Sequence, residues 1–442
     1  MAKTALYRTI WRWHFYAGLF VIPFILLLSV TGSIYLFKPQ IDRWEERDWR
    51  GLPTAQAVTP DQQLQAALAA VPGGTFNHYR LPSQAGDAAV IHLALADHSM
   101  RDVAVSPAGK VIAIVDPTSR ISPTISRIHG SLLMGLAGGL LVELAASWAI
   151  VMILSGLYLW WPRGRGLTGV LWPRWRGGQR LFWRDLHAVT GFWVAGLALV
   201  SLASGLPWSD AWATGFRLVR AEMGWIDGPQ TWKGGVDLHA SHDHQAMMDH
   251  HSMAAPAPTI SLTAIAAKAM AENMPFPAII QPPFAAARFG PPNGNVWRLT
   301  SEAQNRPLIR TVTYDPMTGA ETSRSDFSDK HVIDRVINYG IAWHEGQLFG
   351  PINQAVGVLT ALALISLAVS GSIMWWRRRP QGTLGAPPMP TDSRMKGLII
   401  LLCGLAALLP MLLLSLVVVG LLDWLIIRRS KPLARWLGTV RE

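Results

Sequence analysis

Five long apolar runs determine what this chain can fold into. Each is long enough to cross the hydrocarbon core of a bilayer, which is about 30 Å thick, as a helix that rises about 1.5 Å per residue. Charged residues make up 15% of the chain, whereas soluble domains carry about 25%. These features exclude a water-soluble enzyme and predict an integral membrane protein. The runs occupy residues 15–37, 132–161, 188–206, 352–376 and 397–427.

The single cysteine, Cys403, lies within the last apolar run. One cysteine excludes an internal disulfide framework, a zinc site built from several cysteines and an iron–sulfur cluster held by cysteines. The sequence also contains no P-loop, no Rossmann glycine fingerprint and no HExxH zinc motif. Nucleotide cofactors and thiolate metal centres are therefore not expected within this chain.

The formal net charge of +11 is concentrated in the short segments that flank the apolar runs. Segment 162–184 carries six arginines and no acidic residue, whereas the long segments 38–131 and 207–351 are balanced or slightly acidic. Cytoplasmic loops of membrane proteins carry the excess of lysine and arginine. The sequence therefore predicts a cytoplasmic N-terminus and two long outer segments, and the charge needs no nucleic-acid partner to explain it.

The last apolar run is compatible with more than one topology. Both of its flanks are basic, whereas a single crossing would place the C-terminal tail outside. Pro410, near the middle of the run, interrupts a helix. A tight hairpin, a re-entrant segment and one long kinked helix all stay open at this point.

The chain repeats one pattern twice, in which a span, a long outer segment and a second span follow one another. His14 and His187, in the first spans of the two copies, are each followed by glycine at +4 and +18. His129 and His344, at the second spans, are each followed by Leu at +4, Gly at +6, Ser-Gly at +26 and Trp-Trp at +31. This agreement predicts two structural repeats related by a pseudo-two-fold axis along the membrane normal.

The two outer segments share a weaker pattern. Each begins with an Ala-rich stretch typical of a short helix, at 60–71 and 262–273. The turns at 106–109 and 315–319 place proline and glycine where a type I turn favours them. Each half is therefore expected to carry a small α+β module, with alternating β-type runs at 89–95, 103–115, 296–300 and 309–314.

Four histidines lie at the ends of the duplicated spans, at two depths. Ionisable side chains at membrane depth are costly and usually serve a function, and imidazole is a ligand of haem iron. The two levels are about 18 residues apart, or roughly 27 Å along a helix, so only histidines at one level can share an iron. We expect two b-type haems, one held by His14 and His187 near the cytoplasm and one by His129 and His344 near the outer face. In the alternative interpretation, the histidines lie near lipid headgroups and the glycines pack helices.

Small and basic residues near the cytoplasmic histidines fit the haem interpretation. Gly18 and Gly191 lie one turn from their histidines on the same helix face and leave room for a flat porphyrin. Arg12 and Arg184 precede their histidines by two and three residues. Their guanidinium groups are expected to meet haem propionates.

One segment of the second half, residues 239–253, has no counterpart in the first. Its histidines and methionines suit copper, zinc or nickel, and the thioethers favour Cu(I). Its Gly-, Ala- and Pro-rich flanks are also typical of a linker with incidental metal affinity. The candidate ligands of copper or another metal are His239, His242, His244, His250, His251, Met247 and Met248.

Five short motifs accompany these histidines and the second turn: WRWHFYAGL at 11–19, IHG at 128–130, RDLHAVTG at 184–191, YDPMTG at 314–319 and WHEG at 343–346. They resemble the PepSY-associated transmembrane family over about residues 10–380. The resemblance implies an iron-regulated, multi-pass protein of the bacterial inner membrane with two periplasmic PepSY modules. Some similar proteins are periplasmic ferric-siderophore reductases with two haems.

The expected fold is a membrane α-helical bundle with a duplicated four-span core, a C-terminal apolar segment and two small α+β periplasmic PepSY-like modules. Its expected divisions are spans at 1–37, 128–161, 185–206 and 344–376, modules at 38–127 and 207–343, cytoplasmic loops at 162–184 and 377–396, an apolar segment at 397–427 and a basic tail at 428–442.

Together with the four histidines, the resemblance implies a haem-dependent transmembrane metalloreductase. Electrons from a cytoplasmic or quinone donor would reduce a periplasmic ferric-siderophore for iron acquisition. The alternative is a non-enzymatic, membrane-anchored PepSY protein or permease that binds a partner and handles copper or iron. A third possibility keeps the haems and passes electrons to a partner redox protein.

Overall fold

The computed structural model describes residues 2–162, 169–175, 178–226, 232, 260–286, 292–387 and 396–439. The chain forms two compact units, each assembled from separate stretches. The helical unit comprises Met1–Leu36, Ser126–Phe216 and Gln354–Glu442, and the sheet unit comprises Phe37–Ile125 and Arg217–Asn353. The predicted metal-binding segment 239–253 lies outside the described residues.

Five helices in the described part of the chain are long and apolar enough to cross a membrane: Ala5–Tyr35, Gly135–Trp160, Gln179–Trp208, Pro351–Arg378 and Pro410–Arg429. They confirm the prediction of a multi-pass helical membrane protein. In chain order, the described α-helices are α1 (Ala2–Tyr35), α2 (Lys38–Glu45), α3 (Pro60–Ala70), α4 (Ile121–Ser131), α5 (Gly135–Trp160), α6 (Gln179–Gly205), α7 (Ala211–Glu222), α8 (Leu262–Ala271), α9 (Val332–His344), α10 (Pro351–Arg378), α11 (Lys396–Leu408), α12 (Pro410–Leu422) and α13 (Lys431–Leu437).

A sharp turn separates α4 from α5, and another separates α9 from α10. The repeated glycines of these turns, Gly135 and Gly350, have φ angles of 59° and 58°. This left-handed conformation favours glycine because glycine has no Cβ. His129 lies on α4 and His344 ends α9. The two outer histidines therefore lie on short helices just before the spanning helices, and the glycines that follow them at +6 bend the backbone.

One end of the helical unit gathers basic residues. The Arg378 guanidinium, at the end of α10, lies 5.1 Å from the ring centre of Trp11 on α1. Arg377 donates a 2.8 Å hydrogen bond to Gln179, the first residue of α6. Ser155, near the end of α5, is hydrogen bonded to His14 near the start of α1, whereas Thr31 near the end of α1 is hydrogen bonded to His129 before α5. The four core helices thus alternate in direction, and we call this the basic end.

The C-terminal apolar stretch leaves the basic end and returns to it. Arg12 of α1 donates hydrogen bonds to the carbonyl oxygens of both Pro387 and Gly438. Between these two points, α11 and α12 are separated by one residue with extended φ and ψ angles of −122° and 92°. Trp148, in the middle of α5, donates a 3.1 Å hydrogen bond to Ser415 of α12. Because the chain departs from and returns to one guanidinium, the geometry favours a hairpin or a re-entrant segment over a single crossing.

The sheet unit is built around an eight-stranded antiparallel sheet of order β4-β3-β2-β1-β5-β6-β7-β8. Each half of the chain contributes four strands, and the halves meet at β1 and β5, where Tyr79 pairs with Ile280 and Arg80 with Ile279. The two predicted modules are therefore halves of one sheet. The strands are β1 (Thr75–Arg80), β2 (Ala89–Ala94), β3 (Met100–Val105), β4 (Val111–Val115), β5 (Ala278–Gln281), β6 (Trp297–Ser301), β7 (Thr311–Tyr314) and β8 (Glu321–Ser325).

The helices α3 and α8 pack with one face of the sheet around its apolar core. Ile265 of α8, Ile91 of β2 and Ile280 of β5 are fully buried there. Asp61 of α3 accepts hydrogen bonds from the backbone N–H groups of Leu262 (3.2 Å) and Thr263 (2.9 Å) at the start of α8. A carboxylate at a helix N-terminus is stabilising. The two halves of the duplication are therefore joined both by the pairing of β1 with β5 and by the contact of α3 with α8.

Three polar side chains form a row across β1, β2 and β3 on the opposite face of the sheet. His78 pairs with His92, and His92 pairs with Asp102. The two imidazoles stack with ring centroids 4.4 Å apart, and the His92 Nδ1 is hydrogen bonded to Asp102. Burial raises the pKa of Asp102, but the hydrogen bond and charge of His92 and the charges of His78 and Arg80 outweigh it. The net effect is a pKa below the usual value.

Replacing Asp102 with asparagine is expected to destabilise the protein in a pH-dependent way. The pKa of this carboxyl group is lower in the folded state than in the unfolded state, where it is ordinarily 3.8. The ionised carboxylate therefore stabilises the fold at pH values above 3.8. This stabilisation is lost as the pH falls through the folded-state pKa. We expect Asp102→Asn to lower the free energy of unfolding by about 1–2 kcal/mol at pH 7 and by less at pH 3. Thermal unfolding of the full-length protein in detergent, at each of the two pH values, measures this loss. Asp48→Asn, at an exposed carboxyl, is the control, and an unchanged melting temperature of Asp102→Asn at pH 7 would contradict the prediction.

Candidate functional site

His14 of α1 and His187 of α6 face each other near the basic end of the helical unit. Their ring centroids are 6.4 Å apart and their ring planes are nearly perpendicular, at 88°. The two side chains are partly buried, and they occupy corresponding positions in the two repeats. The structure thus brings together the inner pair of histidines on which the sequence analysis centred.

Neighbouring groups on α5 fix the protonation of His14. Its Nδ1 lies 3.1 Å from the carbonyl oxygen of Met152 and 3.0 Å from the hydroxyl of Ser155. Ser155 donates its own proton to that same carbonyl, 3.0 Å away. A carbonyl oxygen only accepts hydrogen bonds, so the proton of the neutral imidazole lies on Nδ1. The lone pair of Nε2 is then available to a ligand.

His187 has the same surroundings, supplied by α10 instead of α5. Its Nδ1 lies 3.1 Å from both the carbonyl oxygen of Leu367 and the hydroxyl of Ser370. Ser370 is completely buried and donates to the Leu367 carbonyl over 3.2 Å. The duplication therefore repeats not only the histidine but also the hydroxyl and carbonyl groups that orient it.

A glycine follows each of these serines and lets the imidazole lie against the partner helix. A Cβ added at Gly156 would lie 3.1 Å from Cε1 of His14, and one at Gly371 would lie 3.4 Å from Cε1 of His187. At Gly18 and Gly191, an added Cβ would reach only ordinary contact distance, 3.6 Å, from the nearest side-chain atoms. The closest protein contacts are thus at Gly156 and Gly371, whereas the porphyrin clearance predicted for Gly18 and Gly191 stays a prediction.

His129 receives the same kind of support from α1. Its Nδ1 lies 3.0 Å from the hydroxyl of Thr31, which donates to the carbonyl of Leu27 over 2.8 Å. A Cβ added at Gly32 would lie 3.1 Å from Cε1 of His129. His344 belongs to the sheet unit, where it ends α9. The pairing of His129 with His344 stays a prediction from the duplication.

The separation of His14 from His187 suits a metal ion between them. A metal–imidazole bond is about 2.0–2.1 Å long and a ring nitrogen lies about 1.1 Å from the ring centre, so imidazoles on opposite sides of a metal have centroids about 6.3 Å apart. The observed distance of 6.4 Å agrees with this value. Among the described residues, no three or more histidine, cysteine, aspartate or glutamate side chains are grouped to hold a metal. A metal placed between the two rings would therefore take two nitrogen ligands from this pair.

The structure gives protein partners to both arginines that precede these histidines. Arg12 donates to Tyr16 Oη over 3.1 Å, besides the two carbonyls described above. Arg184 donates to Asp185 over 2.7 Å, and Arg174 binds the same carboxylate with two bonds of 2.7 and 2.9 Å. Arg12 and Asp185 stand at equivalent positions and each fastens a loop at the basic end. Contact of Arg12 and Arg184 with haem propionates stays a prediction.

The chain was compared with models of known protein families and with curated proteins. Residues 11–378 match the family model described as the PepSY-associated TM region, which spans most of the chain and all four histidines. The chain belongs to the PepSY-associated transmembrane family. Among curated proteins, no sequence matches it significantly.

Glu143 of this PepSY-associated protein is buried in α5 and has no acidic equivalent in α10, where Val358 stands at its offset. Its two carboxylate oxygens accept hydrogen bonds, each 2.9 Å long, from the backbone N–H groups of Ala211 and Trp212. These groups open α7, so the carboxylate caps a helix whose first N–H groups have no partner within the helix. The geometry therefore gives this buried carboxylate the role of a helix cap.

Removal of the Glu143 carboxylate is expected to destabilise the helical unit. Glu143→Ala leaves two N–H groups without their acceptor and should cost about 2 kcal/mol or more, whereas Glu143→Gln keeps one acceptor oxygen and should cost less. Thermal unfolding in detergent measures the difference. Glu222→Ala, on the exposed surface of α7, is the matched control, and equal stability of the Glu143→Ala and Glu222→Ala variants would contradict the capping role.

Proposed function

We propose that this protein is a transmembrane electron carrier with two b-type haems that reduces a ferric-siderophore or similar ferric chelate outside the membrane. The electrons come from a membrane quinol or a cytoplasmic donor. The observation that carries the proposal is the His14–His187 pair, with ring centroids 6.4 Å apart and both Nδ1 protons held by hydrogen bonds. His14 and His187 are the two residues that would hold such a haem, and imidazole is an established ligand of haem iron.

The residues of the chain prepare this site before any cofactor binds. The carbonyls of Met152 and Leu367 hold the imidazole protons at Nδ1 and so keep Nε2 unprotonated. Such an outer hydrogen bond also orients the ring and increases the basicity of the ligating nitrogen. When bound, haem supplies a one-electron carrier inside the membrane. The apolar spans around it limit access of water, which influences its reduction potential.

The second haem is proposed at His129 and His344 on the strength of the duplication. The Thr31 hydroxyl supports His129 as the Ser155 hydroxyl supports His14. Thr31 and Gly32 follow His14 at +17 and +18, and the sequence repeats them as Ser204-Gly205 at the same offsets from His187. A second repeat with the same elements argues for a second site of the same chemistry.

The proposed reaction is balanced by a two-electron donor. Each Fe(III) takes one electron and becomes Fe(II), so one quinol, which releases two electrons and two protons, reduces two ferric ions. Oxygen-rich chelators hold the hard Fe(III) ion more tightly than the softer Fe(II) ion. Reduction therefore loosens the chelate and serves iron acquisition.

We place the basic end of the helical unit in the cytoplasm, because lysine and arginine accumulate on that side of bacterial inner-membrane proteins. The two long segments that form most of the sheet unit, which begin after residues 36 and 216, lack this basic excess. They would therefore lie in the periplasm, where a ferric chelate arrives.

The haem assignment is tested by removing one histidine at a time. Either His14→Ala or His187→Ala should remove the inner haem. Either His129→Ala or His344→Ala should remove the outer haem. Each variant should therefore keep about half of the reduced b-type absorbance per protein. Dithionite-reduced spectra of purified full-length proteins measure this, with His98→Asn at an exposed turn as the control. Unchanged bands in all four variants would defeat the ligand assignment. A colourless protein that still takes up copper, and loses copper when residues 239–253 are deleted, would support the non-enzymatic metal-handling alternative.

A glycine series tests how tightly the inner site is built. Gly156→Ala should displace the His14 ring and weaken haem retention more than Gly371→Ala, because its added Cβ is the closer one, 3.1 Å against 3.4 Å. Gly196→Ala on α6 should retain full haem, because its new Cβ would meet no described atom within 4 Å apart from the adjacent backbone of its own helix. The Cβ added in Gly18→Ala would lie 3.6 Å from the nearest protein side chain, which is an ordinary contact distance. Loss of haem from this variant would therefore indicate that the porphyrin lies against residue 18. Haem content per protein measures the series, and equal retention in Gly156→Ala and Gly196→Ala would contradict it.

A further inference from the structure

A cavity of about 720 Å³ opens in the sheet unit beside α9. This is within the range of about 300–1,000 Å³ that is typical of small-molecule sites. Four of its residues, Val332, Arg335, Val336 and Tyr339, follow one another at the i, i+3, i+4 and i+7 spacing of a single helix face. The remaining walls come from residues 273, 275, 307–310 and 326–328.

The cavity carries a positive charge that no acidic side chain among the described residues neutralises. Arg310 is paired with Asp326 through a 2.7 Å contact and lies 3.7 Å from Glu272. Arg335 makes no ion pair within the described residues, and its buried Nε has no hydrogen-bond partner there. A buried donor without a partner costs about 1–3 kcal/mol. A guanidinium without an ion pair, which also has an unbonded Nε, is suited to an anionic ligand.

The rest of the lining suits an apolar or aromatic body. Leu308, Val332 and Val336 are 51%, 56% and 66% exposed, which leaves three apolar side chains open to a ligand. Phe327 and Tyr339 meet edge to face with ring centroids 5.2 Å apart. A mostly apolar wall with one or two placed charges is typical of a ligand pocket.

The cavity lies on the helix that carries a proposed haem ligand. Tyr339 precedes His344 by five residues on α9, or about 7.5 Å along the helix axis. A ligand bound against Tyr339 would thus be held by the same rigid element as the outer histidine. This position is suited to the acceptor of the electrons.

We propose that this cavity binds the ferric substrate, as a small anionic chelate with carboxylate groups and an apolar or aromatic face. A carboxylate of the chelate pairs with Arg335, and the apolar face lies on Val332, Val336 and Tyr339. The bound Fe(III) takes one electron, derived from the quinol or cytoplasmic donor named above, and leaves as Fe(II). The redox part of this assignment rests on the proposed function, whereas the binding part stands on the cavity alone.

Gallium(III) chelates test the binding part without any electron transfer, because Ga(III) has the charge of Fe(III) and is not reduced under these conditions. The probe is the Ga(III) complex of HBED, an anionic chelate with two phenolates and two carboxylates. The comparison ligand is the cationic Ga(III) complex of desferrioxamine B. Calorimetric titration of the full-length protein in detergent should show tighter binding of the anionic complex. Equal affinity for both complexes would overturn the proposal.

Variants of the cavity locate the binding. Arg335→Gln should weaken binding of the anionic complex about tenfold or more, since a hydrogen bond to a charged group contributes about 1.5–3 kcal/mol, and Arg335→Lys should restore part of the loss. Val336→Asp places a carboxylate at the exposed rim of the cavity and should also weaken binding of the anionic complex. Arg47→Gln, at an exposed arginine elsewhere in the sheet unit, should leave the affinity unchanged.

The remaining outcomes separate the cavity from the haem proposal and from lipid. Unchanged affinity in Arg335→Gln would overturn the cavity assignment whatever the haem spectra show. Tight, Arg335-dependent binding by a protein without haem would support the cavity while contradicting the proposed reduction. Loss of binding to phosphatidylglycerol vesicles in Arg335→Gln, with chelate affinity unchanged, would assign the guanidinium to a lipid headgroup and overturn the proposal.

Discussion

The hydrogen bond from an imidazole Nδ1 to a hydroxyl and carbonyl of the neighbouring helix organises the helical unit. It fixes the tautomer of His14 and His187, and it requires α1 to approach α5 and α6 to approach α10 closely. That approach is possible because glycine follows each serine. One short sequence element, a serine followed by a glycine, therefore sets both the packing of two helices and the chemical state of a histidine.

Much of this architecture could be predicted from the sequence, because apolar length and residue offsets are local properties. Long apolar helices, the outer helices near 60–71 and 262–273 and the turns with Gly109 and Gly319 appear where the sequence pattern predicts them. The support of the histidines could not be read in the same way. Ser155 is 141 residues from His14, and spacing along the chain does not reveal which helices pack. The repeated Ser-Gly offsets were the available signal.

The strands show a second limit of sequence reasoning. β8 (Glu321–Ser325) contains no apolar residue, and β1 and β5 were likewise not predicted. β-propensity mainly reflects how a side chain fits its neighbours in a sheet, so a polar segment becomes a strand only when a partner is beside it. Divergence between the repeats is another reason why sequence reasoning is limited. Arg12 and Asp185 occupy equivalent positions and each binds a loop, but they carry opposite charges. Matching of residue offsets does not predict these contacts.

The order of the strands also bears on the history of the chain. β1 and β5 are central only because each half supplies the other with a neighbour. A protein of half this length would leave β1 at an open edge, whose unpaired amides and carbonyls invite another strand. A second copy would satisfy that edge through an isologous two-fold contact. The present molecule has the architecture of a homodimer whose subunits became covalently joined, after which each was able to acquire residues that the other lacks.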